Sequence, residues 1–263
     1  MFITKADDIF NKTKDSCFDE LVELANGFKP LTVEQASKDW PELYKQWEKS
    51  VDEGKPDYSV YEADSYLYES FLCWKLYASR YVKLLRKYLT KDGCKLQVDE
   101  IKTIVDLGCG CGYSTVALKS VFPDATVIGT NLPGTMQYYI DKKVCEGIDG
   151  CYMQDENDDF KESMDMIFAS EFFEHLTNPI DLLEELIEKY SPKYFVVANT
   201  FTKMSLGHFR EYYYDGTAYT GPDMSRKFND ILRSHGYVAV ETGFFNNRPR
   251  VWMYNEPKYK SLF

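Results

Sequence analysis

"VDLGCGCGYS", residues 105–114, is the stretch on which the reading of this 263-residue chain turns. A short β-branched run, KTIVDL, carries an acid, Asp106, near its end, and three alternating glycines follow: Gly108, Gly110 and Gly112. Glycine lets the backbone turn sharply and approach a ligand, and free N–H groups at the start of the next helix favour polar or anionic ligand groups. The spacing is GxGxG, not the GxGxxG of dinucleotide sites.

Downstream, strand-like runs alternate with helical segments. KTIVDL, ATVIGT, GCYMQ, MDMIFAS and KYFVVANT are separated by YSTVALKSVF, a helix near 134–146 and PIDLLEELIEKY. This alternation predicts crossover connections and a parallel sheet covered on both faces. An aromatic segment without clear periodicity follows, LGHFREYYYDGTAYTGPD, then a helix near 223–234. Two strand-like runs, GYVAVETGFF and RVWMYN, close the chain as a hairpin through NNRP.

Upstream, Leu67, Phe71, Trp74, Ala78, Tyr81, Leu85 and Tyr88 recur at spacings of four and three, which predicts one buried helical face. TKDG at 90–93 ends that helix. Residues 1 to about 58 read as short amphipathic helices broken by FKP at 28–30 and EGKPD at 53–57, and no catalytic motif is seen there. The division expected is a helical extension or cap over 1–98 and a ligand-binding domain over 99–263.

The composition is that of an ordinary globular protein, 44% apolar and 28% charged, with a high aromatic share of 16%. No apolar run approaches the roughly 18 residues of a membrane-spanning helix, and MFITKADDIF lacks a signal-peptide pattern, so a cytoplasmic location is expected. Seven scattered cysteines without CxxC pairs fit reduced thiols. A net charge of −11 opposes binding to extended duplexes, although Lys203, Arg210, Arg226, Lys227, Arg233, Arg248 and Arg250 concentrate in the last quarter.

Asp106 and the GxGxG turn together resemble the first motif of class I S-adenosylmethionine-dependent methyltransferases. The resemblance implies a Rossmann-like α/β fold, a mostly parallel seven-stranded sheet with an N-terminal helical cap, and S-adenosyl-L-methionine as methyl donor. It implies that Asp106 holds the loop and the cofactor's methionine end, and that Gly108, Gly110 and Gly112 back the cofactor. At the end of the second strand the family has an acid on the ribose hydroxyls; IGTNLPGT offers Asn131, which can donate and accept but carries no charge. Asp155 in MQDEN stands where the family contacts the adenine amino group. The fourth strand, MDMIFASEFFEHL, resembles the family's fourth motif, whose end, here at Ser170, forms the floor beside the transferred methyl.

Past that strand, SEFFEH (170–175) places Glu171, Glu174 and His175 at i, i+3 and i+4, where three ligand types can converge on one ion. ExxEH here resembles two metal-using groups, the small-RNA 3′-terminal 2′-O-methyltransferases and the ubiquinone-pathway O-methyltransferases. In the RNA group a second histidine joins the set, and His208 in GHFREY falls in the matching region. The resemblance thus implies a site for Mg2+, Mn2+ or Zn2+ built from Glu171, Glu174, His175 and His208. The competing reading has no metal: His175 caps or packs beneath the cofactor, the glutamates face solvent, and His208 acts as general base. His235 reads as structural. Phe209, Tyr212, Tyr213, Tyr214 and Tyr219 can stack on a base or a phenolic ring or pack as a lid, and Arg210 can hold a phosphate or carboxylate.

The activity expected is methyl transfer to oxygen, or to nitrogen, of a small-molecule acceptor, without a membrane partner. A nucleic-acid end is the alternative acceptor, on the strength of ExxEH, His208 and the basic cluster. A degenerate scaffold or regulatory subunit, suggested by Asn131, and an aminopropyl transferase are the remaining readings.

Overall fold

The computed structural model describes residues 14–89, 98–155, 160, 163–202, 205–240 and 248–255. Its centre is a seven-stranded sheet of β1 (Thr103–Leu107), β2 (Thr126–Asn131), β3 (Cys151–Asp155), β4 (Met166–Ser170), β5 (Tyr194–Ala198), β8 (Tyr237–Val240) and β9 (Arg250–Tyr254). The spatial order is β3-β2-β1-β4-β5-β9-β8. The first five strands pair in parallel, and β9 runs antiparallel to both β5 and β8. β1 and β5 are buried at every residue, which is why they read as continuous apolar runs and not as alternating ones.

The crossover helices are α6 (Tyr113–Val121), α7 (Met136–Cys145) and α8 (Pro179–Tyr190), with α9 (Gly221–Ser234) before β8. Thr135 caps α7 by accepting the Tyr138 N–H, and Thr220 caps α9 by accepting the Asp223 N–H. Because strand order reverses between β1 and β4, a crevice opens at the carboxyl ends of these strands, the usual ligand position in an open α/β sheet.

The N-terminal helices are α1 (Lys14–Ala25), α2 (Val33–Lys38), α3 (Trp40–Asp52), α4 (Tyr66–Cys73) and α5 (Ser79–Leu89), the last two joined by a single π turn, Trp74–Ala78. The breaks fall where FKP and EGKPD predict. Leu67, Phe71, Trp74, Ala78, Tyr81 and Leu85 are all buried, as their periodicity requires; Tyr88, TKDG and DENDD beyond Asp155 lie outside the described side chains.

These helices reach both faces of the sheet. Leu21, Leu67, Phe71 and Trp74 pack in one core with Ile104, Tyr113 and Ile140, while Leu43, Trp47 and Val60 join the opposite core with Phe173, Phe195 and Phe228. The segment between them, Tyr58 to Tyr66, crosses the carboxyl ends of the strands.

The aromatic segment without periodicity forms a second small sheet, β6 (Glu211–Tyr214) paired with β7 (Thr217–Thr220). Asp215 and Gly216 make its two-residue turn, both at positive φ (47° and 70°), the Asp-Gly signature of a tight hairpin. Tyr212 faces inward and is fully buried whereas Tyr213 is exposed, so the run YYY alternates in space although not in hydrophobicity.

Because cap and sheet share a core, Leu67→Ala should destabilise the whole molecule. A loss of about 2–5 kcal/mol is expected in urea unfolding, with fluorescence and circular dichroism reporting one coincident transition.

Candidate active site

The glycine turn is held from below by Asp106. One of its buried carboxylate oxygens accepts hydrogen bonds from Ser114 Oγ (2.7 Å) and Thr115 Oγ1 (2.8 Å), tying the end of β1 to the first turn of α6. Burial pushes the Asp106 carboxyl up to about 7, against the two hydroxyls, which pull it down. The loop between arches outward, with Gly108, Gly110 and Gly112 at φ of 59°, 61° and 74°. A Cβ on Gly108 would collide with the Phe172 ring, and one on Gly112 would lie 3.1 Å from Asp141.

Gly108 and Gly110 line a cleft of about 440 Å3 over the carboxyl ends of the strands. Asn131, Thr135 and Gln137 line it on the β2 side and Ser170, Glu171, Phe172 and His175 on the β4 side. Its remaining walls come from the cap, through Tyr58, Tyr61, Tyr66, Ser70 and Cys73. Among the described residues, Ser170 Oγ and both amide atoms of Gln137 are buried without a hydrogen-bond partner. An open glycine cradle with unpaired polar atoms around it suits a polar, nucleoside-like ligand such as S-adenosylmethionine.

Asn131 does not present its amide nitrogen to this space. Its Nδ2 donates to Gly110 O (2.9 Å) and to the buried Asp141 Oδ2 (2.7 Å), so the side chain fastens the glycine turn to α7. Burial drives the Asp141 carboxyl well up, and Cys109 Sγ also donates to it at 3.5 Å. Asp155 pairs in register with Asn131 at the end of β3 and does not reach the cleft lining.

At the end of β4, Glu171 takes a left-handed conformation, φ 54°, unusual for a residue with a Cβ, and its N–H is held by Ala198 O at 2.8 Å. This turn directs the Glu171 carboxylate to Thr200 Oγ1 (2.8 Å) and towards Arg248, 3.6 Å away. Glu174 is fully buried and accepts the Thr200 N–H. Burial, then the neighbouring Glu171 charge, pushes the Glu174 carboxyl far up, so it keeps its proton. Glu174 therefore does not face solvent as expected, whereas Glu171 lines the cleft.

His175 and His208 meet edge to face with ring centroids 4.8 Å apart. His175 reaches the cleft, with Nδ1 3.3 Å from the Tyr61 hydroxyl; His208 lies one ring behind it and outside the lining. His208 Nδ1 lies 2.8 Å from Thr202 O, which can only accept, so the neutral ring carries its proton on Nδ1. Burial brings His208 down to about 4 and holds His175 well below the ordinary imidazole value, so both rings are neutral near pH 7. Among the described residues, no three His, Cys, Asp or Glu side chains gather closely enough to hold a metal ion. The four ligands suggested by ExxEH sit instead as a carboxylate pair on Thr200 and Arg248 and a histidine pair on Tyr61 and Thr202.

Other assignments shift. Phe209 and Tyr212 are core residues, Tyr213 is exposed, and none of the five aromatics suggested for stacking lines the cleft. The aromatic walls are Tyr58, Tyr61, Tyr66 and Phe172. The three tyrosines come from the cap, where the sequence shows no motif; their signal is only the tyrosine density of DYSVYEADSY. Arg210 pairs with Asp52 on α3, and His235 ends α9 within 3.9 Å of Glu184.

Residues 74–248, more than half of the chain, match the profile of the family described as "Methyltransferase domain". The chain belongs to that family. It is a class I S-adenosylmethionine-dependent methyltransferase. Among solved structures, an O-methyltransferase family protein from Burkholderia thailandensis superposes with a TM-score of 0.55 at 12% identity, over 84% of this chain and 70% of that one. The mitomycin 7-O-methyltransferase MmcR gives 0.51 at 12% identity, over 94% and 74%. At such identity these likenesses establish the fold. No curated protein matches the chain significantly.

Gly110→Arg should fill the cradle and abolish S-adenosylmethionine binding in calorimetry while leaving the circular dichroism unchanged. A second expectation concerns Asp106. A carboxyl whose folded value is raised to about 7 favours the folded state below its unfolded value near 3.8, and that contribution is lost as pH rises through 7. The unligated protein's stability relative to Asp106→Asn should therefore fall between about pH 4 and 7 and level off above, measured by urea unfolding across pH.

Proposed function

We propose that this methyltransferase acts in the cytoplasm on a hydroxyl group of a small, planar acceptor bound between the glycine turn and the tyrosines of the cap. The observation that carries this reading is His175, a neutral imidazole in the cleft wall between Phe172 and Tyr61. S-adenosylmethionine, when bound, supplies an electrophilic methyl group on a sulfonium. The hydroxyl oxygen must lose its proton as the new C–O bond forms, and His175, in the cleft lining, can take it. Tyr58, Tyr61, Tyr66 and Phe172 offer flat apolar walls that orient an aromatic acceptor and exclude water.

A small acceptor is favoured over a nucleic-acid end because the C-terminal basic cluster is largely spent. Arg210 pairs with Asp52, Arg226 with Asp223, Arg233 with Asp230 and Arg248 with Glu171, while Lys227 lies over Tyr214. With Lys203 outside the described residues, the described members of the cluster thus offer little unneutralised charge for a phosphate backbone on a chain of net charge −11.

Metal assistance is the second reading, and one observation favours it. Among the described residues, Glu171 Oε1 and Glu174 Oε2 are buried without a hydrogen-bond partner. A divalent ion would have to displace the proton that burial keeps on Glu174, so such binding would tighten with rising pH.

Transfer of labelled methyl from S-adenosylmethionine into a lysate separated by size tests the acceptor class. Label in the small-molecule fraction is expected; label in a nuclease-sensitive macromolecular fraction would refute it. His175→Ala should lower kcat by about 10²–10⁴-fold, and chelator should leave the wild-type rate unchanged. A rate that collapses with chelator and returns with a divalent ion would establish the metal reading.

A further inference from the structure

Gln137 is the second residue of α7 and lines the cleft beside Asn131, Leu132 and Thr135. It is 3% exposed, and neither its Nε2 nor its Oε1 has a hydrogen-bond partner among the described residues. A buried primary amide with both ends unpaired is costly, and folded proteins rarely leave one so. Asn131, six residues earlier, is in the opposite condition: its Nδ2 is taken by Gly110 O and Asp141, and its Oδ1 accepts the Leu132 N–H at 3.2 Å. On this side of the cleft Gln137 therefore has free hydrogen-bonding capacity at both ends of its amide, and Asn131 does not.

The two ends of the cleft differ in charge. On the β4 side the lining carries Glu171, with Arg248 behind it at 3.6 Å, groups suited to charged or reacting partners. On the β2–α7 side the lining is neutral: Asn131, Leu132, Pro133, Thr135 and Gln137. A neutral amide offers one donor and one acceptor side by side, which matches a ligand edge that also carries one of each. In S-adenosylmethionine the methionine end is charged, whereas the ribose diol and the adenine edge are neutral and present such pairs.

We propose that Gln137 holds the nucleoside half of the cofactor through both ends of its amide, while Asn131 and Asp141 serve to fix the glycine turn. The proposal rests on the cofactor assignment and adds a binding residue to it. Satisfaction of the amide occurs only in the complex, so the unligated protein carries the unpaired group as a standing destabilisation.

The test uses Gln137→Leu, similar in size and unable to hydrogen-bond, with calorimetry of S-adenosylmethionine and of adenosine and thermal unfolding of the ligand-free protein. The expected result is about tenfold weaker binding of both ligands, the size of one to two lost neutral hydrogen bonds, with the ligand-free melting temperature unchanged or raised. Unaltered affinity for both ligands in the variant would overturn the proposal while leaving the cofactor assignment intact. A marked fall in the ligand-free melting temperature would also overturn it, by showing that Gln137 is a structural amide. If wild type fails to bind S-adenosylmethionine, the cofactor assignment falls and this proposal with it.

Discussion

The two hydrogen bonds that Ser114 and Thr115 donate to one oxygen of Asp106 are the constraint on which the site depends. They join the end of a buried strand to the first turn of the helix that follows, and the five residues between, 108–112, arch outward. Glycine at positive φ is what allows that arch. On the far side Asn131 grips Gly110 O, so the loop is fastened at both flanks before any ligand arrives. Cradle formation is thereby separated from cofactor contact, and polar groups elsewhere in the cleft remain for the ligand.

The second feature of the molecule is the cap. Its helices are not an appendage on a finished domain, since their apolar residues complete the cores on both faces of the sheet. The connecting segment, Tyr58 to Tyr66, is thus held across the strand ends, and its tyrosines become the outer wall of the cleft. Access to the reacting end therefore depends on a segment far in sequence from the glycine turn. Trp47 strengthens the link, donating its indole N–H to His208 O at 2.8 Å. Among the described residues no helix is long and apolar enough to cross a membrane.

Much of this was legible in the sequence because it is periodic or local. Alternating strands and helices gave the sheet, GxGxG after an acid gave the cradle, and the 4–3 spacing from Leu67 to Leu85 gave the buried face of the cap. What was not legible depends on pairings between distant residues. Asn131 reads as a cofactor contact, and that its amide nitrogen holds Gly110 O and Asp141 shows only in three dimensions. Gln137 carries no motif at all, and only its burial without partners singles it out. ExxEH reads as a ligand set from its spacing, yet Thr200 and Arg248, decades of residues away, decide where the glutamates point. The hairpin at 211–220 was hidden because tyrosine occupies its inward and outward positions alike.

The central claim is that the cleft over the glycine turn holds S-adenosylmethionine, with its reacting end at His175 under the tyrosines of the cap. A crystal structure with S-adenosylhomocysteine tests it most directly. The account predicts the product lying across Gly108 and Gly110, with its sulfur beside Ser170 and His175. Density elsewhere on the molecule, or a cleft still filled by solvent at saturating product, would contradict it.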